Sequence, residues 1–221
     1  MPKSSFLFEQ IITELHKLDT ETLLASPHSY VLKERISADG LEYISNVPCE
    51  ILITANENAE VIVSTGTKSR ARHPADLEAR DRVYRNVSIH SHPRDGDIIA
   101  NAPSLSDVDL SEKINAKRSD PRTEYLIHPQ GLLVYRVEKN YFEERREFYL
   151  RHNAYFGTER SDANVRYVKN IPRAERVALA RAFAKRAGLI VKEALWEDEF
   201  GITTIVSEMN DLLDSVRQLA K

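Results

Sequence analysis

Ile89-His90-Ser91-His92-Pro93 is the stretch around which this chain is organised. In a β-strand, residues i and i+2 point to the same face, so His90 and His92 can converge on one ion while Ser91 points away. Pro93 lacks a backbone N–H and therefore ends the strand. Two neutral imidazoles and one carboxylate can bind zinc and leave a fourth position for water. The stretch predicts a strand end with two side chains that can ligate a metal ion, and the residue types alone leave open that the two histidines are structural.

The carboxylate is expected downstream, in Pro103-Ser104-Leu105-Ser106-Asp107-Val108-Asp109, where a helix should begin. Two overlapping Ser-x-x-Asp patterns occur in this segment, one ending at Asp107 and the other at Asp109. Ser104 and Asp107 would also serve as an ordinary pair of residues capping the helix N-terminus. The residue types alone leave these alternatives open.

The combination of His90-Ser91-His92-Pro93 with Ser104-x-x-Asp107 resembles the H-[ST]-H-P…S-x-x-D signature of the JAMM family, also called JAB or MPN+ metalloproteases. The resemblance implies Zn²⁺ bound by His90, His92 and Asp107, and Ser104 as a catalytic residue that stabilises the oxyanion. It favours Asp107 over Asp109, because Pro103-Ser104-x-x-Asp107 is similar to bacterial members. The segment from Pro93 to Pro103 is longer than is common in the family.

The family also implies a glutamate that acts as the general base, on the first strand after the opening helix. This favours Glu34 as the second catalytic residue, since Leu32, Glu34 and Ile36 would share one strand face. A carboxylate on an apolar face is unfavourable unless something satisfies it, and a nearby zinc-bound water would do so. Glu50, just before an apolar strand, is the second candidate, and Glu42 is the third.

The periodicity of apolar residues predicts an α/β (α+β) protein with a mixed β-sheet flanked by helices. Residues 1–140 would form the JAMM-like domain, whose core resembles that of cytidine deaminases, and residues 141–221 a mostly helical C-terminal extension that packs on it or contacts partners. The predicted helices are 5–18, 74–86, 104–117, one ending before Gly188 and one at the C-terminus. The predicted strands are 30–36, 41–44, 50–55, 60–64, 87–90, 125–128 and 132–137.

Composition limits the function classes. The 221 residues are 42% apolar and 29% charged, which is typical of a globular protein, and the net charge of −3 gives no drive toward nucleic acid. Cys49 alone cannot form an internal disulfide framework. No apolar run suits a membrane span or a signal peptide, so we expect a cytoplasmic protein.

The JAMM resemblance implies a zinc-dependent hydrolase that cleaves isopeptide or peptide bonds by metal-activated water. Its partner would be a protein or peptide substrate, with ubiquitin-like proteins the usual class in the family. The alternative is a catalytically inactive MPN-type scaffold or binding module. A role like that of DNA-repair-associated relatives is less favoured, because the net charge is −3.

Overall fold

A computed structural model describes residues 5–25, 28–55, 58–66, 87–92, 102–103, 105–116, 119, 121–138, 182, 184–186 and 188–218. Within these residues, a mixed sheet of eight strands is flanked by helices. The strands are β1 (Ser5–Phe6), β2 (Ser29–Leu32), β3 (Ile51–Ala55), β4 (Val61–Thr65), β5 (Ile89–Ser91), β6 (Thr123–His128), β7 (Gly131–Arg136) and β8 (Ile190–Leu195). The helices are α1 (Phe8–His16), α2 (Thr20–Ala25), α3 (Ala38–Ser45), α4 (Leu105–Asn115) and α5 (Glu199–Gln218).

The sheet has the strand order β1-β2-β4-β3-β5-β6-β7-β8. β1 runs parallel to β2 and β5 runs parallel to β6, while the other neighbours are antiparallel. β5 therefore lies in the interior of the sheet, where His90 is paired with Leu52 of β3 and with Leu126 of β6. Residues paired in this way lie on one face of the sheet, so their side chains surround that of His90.

The two faces of the sheet carry different hydrophobic clusters. The larger cluster contains Ile89 of β5 together with side chains of α1, α3 and α5. The smaller cluster contains Leu126 of β6, Leu133 of β7 and Val108 of α4. Because successive residues of a strand alternate between faces, His90 lies on the side of the smaller cluster and α4. The fold therefore places α4 over the histidines and the main core on the opposite face.

The predicted strand at 41–44 is wrong, because these residues belong to α3. The hydroxyl oxygen of Ser37 accepts a hydrogen bond from the Gly40 N–H at 3.1 Å and so caps the helix. Leu41 and Ile44 are both fully buried, as expected for residues three apart on one helical face. Gly40 allows the close approach of α1, since a Cβ there would stand 2.4 Å from Cε1 of Phe8.

The first predicted helix begins later than expected. Ser5 is part of β1, where it pairs with Val31 of β2, and it does not cap a helix. α1 starts at Phe8, and the Leu7 N–H donates to Oε1 of Gln10 at 2.9 Å. The strand pair β3–β4 and the hairpin β6–β7 confirm the predictions made for those segments.

The described part of the C-terminal region joins the same sheet and core. β8 pairs with β7 and was not predicted. α5 buries Ile205, Met209 and Val216, as its apolar spacing predicted. Gly188 has a φ of 69°, which suits the predicted glycine after a helix end. The predicted helix at 74–86 and residues 141–181 of the predicted C-terminal extension lie outside the described residues. In the part of the chain that is described, no helix has the length and apolar character needed to cross a membrane.

Candidate metal centre

Two histidines stand at the buried end of β5. His90 and His92 are 6% and 1% exposed. The His92 N–H donates to the Ile127 carbonyl at 2.9 Å, which continues the pairing with β6 one residue past the strand. The Ser91 hydroxyl oxygen accepts from the Ile51 N–H at 2.8 Å. Hydrogen bonds to β3 and β6 thus hold this stretch from both sides and fix the direction of the two imidazoles.

Asp107, in the first turn of α4, brings its carboxylate to both rings. Its Oδ2 lies 3.4 Å from Nε2 of His92 and 3.6 Å from Nε2 of His90. Asp109 instead pairs with Lys113 at 2.5 Å, and its side chain is 45% exposed. Of the two alternatives left open by the sequence, the structure brings Asp107 to the histidines and directs Asp109 to solvent.

The distances between the three side chains suit ligands of one metal ion better than they suit direct hydrogen bonds. Charge-assisted N–H···O bonds are about 2.7–2.9 Å long. Two ligand atoms at about 2.0–2.1 Å from a tetrahedral ion lie ~3.4 Å apart, which is close to the observed 3.4 and 3.6 Å. Among the described residues, Nε2 of His90 has no hydrogen-bond partner although it is buried. His90, His92 and Asp107 can therefore hold a metal ion between them.

The electrostatics of the group also favour a cation. Burial opposes protonation of His90, but the Asp107 carboxylate outweighs burial and raises the pKa of His90 above its ordinary 6.5. Burial alone would raise the pKa of Asp107, but the imidazoles of His90 and His92 hold it well below 3.8. The carboxylate is therefore ionised at neutral pH, and positive charge beside it is stabilised by a proton or by a metal.

Glu50 lies on the same face as the histidines. The β3–β5 ladder ends with the pair Leu52–His90, and Glu50 precedes Leu52 by two residues, so Glu50 and Leu52 share a face. Glu50 is buried, and its carbonyl accepts from the Gly66 N–H at 2.7 Å, which extends β3–β4 pairing to this residue. A second buried carboxylate thus lies on the sheet face that carries the histidines.

Glu34 does not lie on a strand, contrary to what the sequence pattern predicted. β2 ends at Leu32, and Glu34 follows it with an exposed side chain, so the prediction of an apolar strand face is wrong. Its carbonyl accepts from Nη2 of Arg217 at 2.6 Å, an anchor to α5 that takes the chain out of the strand. β4 and β3 lie between β2 and β5. Glu42 is exposed on α3, and Ser104 lies outside the described residues.

Sequence reasoning missed a buried polar group under α4. Glu124 is 1% exposed; it accepts from the Ser111 hydroxyl at 2.5 Å and pairs with Arg122 at 2.6 Å. Two signals could have revealed it. Ser111 follows Asp107 by one helical repeat of four, and Glu124 directly precedes the apolar run Tyr125-Leu126-Ile127.

Comparisons of the chain with protein-family models, with curated proteins and with solved structures gave no match. The similarity to the JAMM family therefore stays a prediction that rests on the H-S-H-P motif. The proximity of His90, His92 and Asp107 does not depend on it, because it follows from the pairing of β5 and the position of α4.

Proposed function

We propose that this protein is a zinc-dependent hydrolase that cleaves isopeptide or peptide bonds. The observation that carries the proposal is the position of Asp107 Oδ2, 3.4 and 3.6 Å from the Nε2 atoms of His92 and His90. Within the described residues, this group is the candidate for a metal site. Three protein ligands with a fourth position for water are the usual arrangement of catalytic zinc.

The chemistry of the ligands supports zinc over the common hard cations. Calcium and magnesium prefer oxygen ligands, whereas zinc readily takes imidazole nitrogen together with a carboxylate. His90, His92 and Asp107 supply two nitrogens and one oxygen. When bound, zinc supplies Lewis acidity and lowers the pKa of water to about 7.

Glu50 is the proposed general base in place of Glu34. Its support is its place two residues before Leu52, the partner of His90, on the same face, together with its burial just before β3. In this role the carboxylate takes a proton from the attacking water and passes it to the leaving amine. Ser104 keeps the role implied by the JAMM resemblance, which is to stabilise the oxyanion.

The substrate class follows from the family resemblance and from the proposed chemistry. We assign the sheet and α4 to a JAMM-type core, and we expect a protein or peptide substrate, including ubiquitin-like proteins joined through an isopeptide bond. A carboxylate that gives its proton to a leaving amine suits amide bonds, since an amine leaves only when protonated.

The test joins metal analysis to hydrolysis. Protein purified without chelator should hold about one zinc per chain and cleave one of a panel of peptides and isopeptide-linked ubiquitin-like proteins. His90→Ala should lose both properties, while Glu50→Gln should keep the metal and lose hydrolysis. Asp109→Ala is the matched control and should keep both. Absence of a bound divalent ion would overturn the proposal, and metal without hydrolysis would support a binding module instead.

A further inference from the structure

The side of α4 that faces the sheet is unusually polar. Asp107, Ser111 and Asn115 follow one another at intervals of four, so they lie along one face of the helix. Ser111 and Asn115 are buried, as is Val108 on the adjoining stripe. A helix normally packs on a sheet through apolar side chains. The position of α4 therefore depends in large part on what these polar groups bind.

Both buried polar residues bind specific partners on β6, just before β6 and just after β7. The Ser111 hydroxyl donates to Oε1 of Glu124 at 2.5 Å, and the same oxygen accepts from Nε of Arg122 at 2.7 Å. Nδ2 of Asn115 donates to the Val137 carbonyl at 2.7 Å. Oδ1 of Asn115 accepts from the Arg122 N–H at 2.8 Å. The network fixes α4 against the sheet both along its axis and in rotation.

The spacing of this network matches that of the metal site. His90 pairs with Leu126, and Glu124 lies two residues before Leu126 on the same face of β6. Two residues of a strand span ~6.6 Å, and four residues of a helix rise ~6 Å. Because these two distances are nearly equal, the hydrogen bond between Ser111 and Glu124 places Asp107 next to His90.

We infer that Glu124, held by Arg122, is a positioning residue that sets the height and rotation of α4 so that Asp107 meets the two histidines. This inference rests on the proposed metal site and adds residues that do not touch the metal. Burying a carboxylate and a guanidinium is expensive, and a buried ion pair is weak evidence for stability alone. Hydrogen bonds are directional, whereas apolar contacts are not. A buried hydrogen-bond network can therefore orient a metal ligand more accurately than apolar packing can.

The test compares metal binding in variants of the full chain. Ser111→Ala removes the hydroxyl that joins α4 to Glu124, and Glu124→Gln removes the charge that holds Arg122. Zn²⁺ affinity is measured by competition with a chromophoric chelator, and Co²⁺ absorption reports the ligand geometry. Each variant should bind Zn²⁺ about 10–100-fold more weakly than the wild type, the range found when partners behind metal ligands are removed. The Co²⁺ bands should shift and weaken.

Ser45→Ala is the matched control. Ser45 is also fully buried, and its hydroxyl donates within its own helix to the Glu42 carbonyl at 2.6 Å. This variant loses a comparable hydrogen bond on α3 and should keep wild-type Zn²⁺ affinity and Co²⁺ bands. If Glu124→Gln does not fold, Ser111→Ala decides.

Folded Ser111→Ala with wild-type affinity and bands would overturn the inference and leave the metal site intact. A loss of affinity equal to that of Ser45→Ala would overturn it too, since general loosening would then explain the effect. A wild-type chain that binds neither ion would instead overturn the proposed function, and this inference with it.

Discussion

Exchanging Asp107 for asparagine should weaken metal binding strongly, while the same exchange at Asp109 should leave it unchanged. Asp107→Asn removes the one charged ligand, whose Oδ2 lies 3.4 and 3.6 Å from the two imidazoles. Loss of groups behind a ligand lowers metal affinity about 10–100-fold. Loss of a ligand should therefore exceed about 100-fold, or about 2.7 kcal/mol. Asp109→Asn loses only a surface pair with Lys113.

The difference in zinc affinity between the two variants can be measured as a change in Tm. With zinc at 100 times the wild-type Kd, binding stabilises the folded state by about 2.7 kcal/mol. A chain of 221 residues gains ~2–4 °C in Tm per kcal/mol, so the wild-type Tm should rise by roughly 5–10 °C. Asp107→Asn should then be at or below half saturation, which contributes less than about 0.4 kcal/mol, or ~1 °C. Scanning calorimetry with zinc and with chelator measures both shifts. A full zinc shift in Asp107→Asn, or its loss in Asp109→Asn, would refute the assignment.

Three further outcomes are expected. Glu50→Gln should lower kcat by about 10²–10⁴-fold with unchanged zinc content, whereas the exposed Glu34→Gln should match the wild type; the reverse order in a hydrolysis assay would restore Glu34 as the base. In metal-free protein, the ion pair of Asp107 with His90 should stabilise the fold most between pH 3.8 and 6.5. Its contribution is lost as pH falls through the lowered pKa of Asp107 or rises through the raised pKa of His90, so urea titrations of wild type and Asp107→Asn should converge only beyond those two pKa values. Asn210→Ala removes two buried hydrogen bonds between α5 and the segment before α3, and should lower the free energy of unfolding by about 2–3 kcal/mol; a change under about 0.5 kcal/mol would contradict this.

The local sequence pattern was sufficient to predict the strands that position the two histidines. The alternation in His90-Ser91-His92 predicted a strand end with both rings on one face, and the ladder to Leu52 and Leu126 agrees with it. The strands predicted at 125–128 and 132–137 match β6 and β7, which form a hairpin. These features depend on residues near each other in the chain, where strand periodicity and turn chemistry act directly.

Contacts between distant parts of the chain determine α3 and β8, which the local sequence pattern did not predict. Leu41-Glu42-Tyr43-Ile44 fits both a strand and a helix, and the choice of a helix comes from the Ser37 cap and the contact between Gly40 and α1. β8 does not show the apolar alternation of a half-buried strand, because it lies at the end of the sheet with Val191 and Lys192 exposed. Its place in the sheet depends on pairing with β7.

The proposed general base was also not predictable from the local sequence pattern. Leu32, Glu34 and Ile36 alternate in sequence, but the strand stops at Leu32 because the following residues turn to meet α5. Glu50 gives no periodic signal of its own. Its place on the face of Leu52, which pairs with His90, follows only from the register between β3 and β5, which the sequence does not specify.

Crystallographic anomalous scattering at the zinc edge tests the central claim most directly. Crystals of the full chain grown with stoichiometric zinc should give one strong peak, about 2.0–2.2 Å from Nε2 of His90, Nε2 of His92 and Oδ2 of Asp107. A chain with no peak at this position, or with Asp107 turned away from both imidazoles, would contradict the metal site and the proposed hydrolase together.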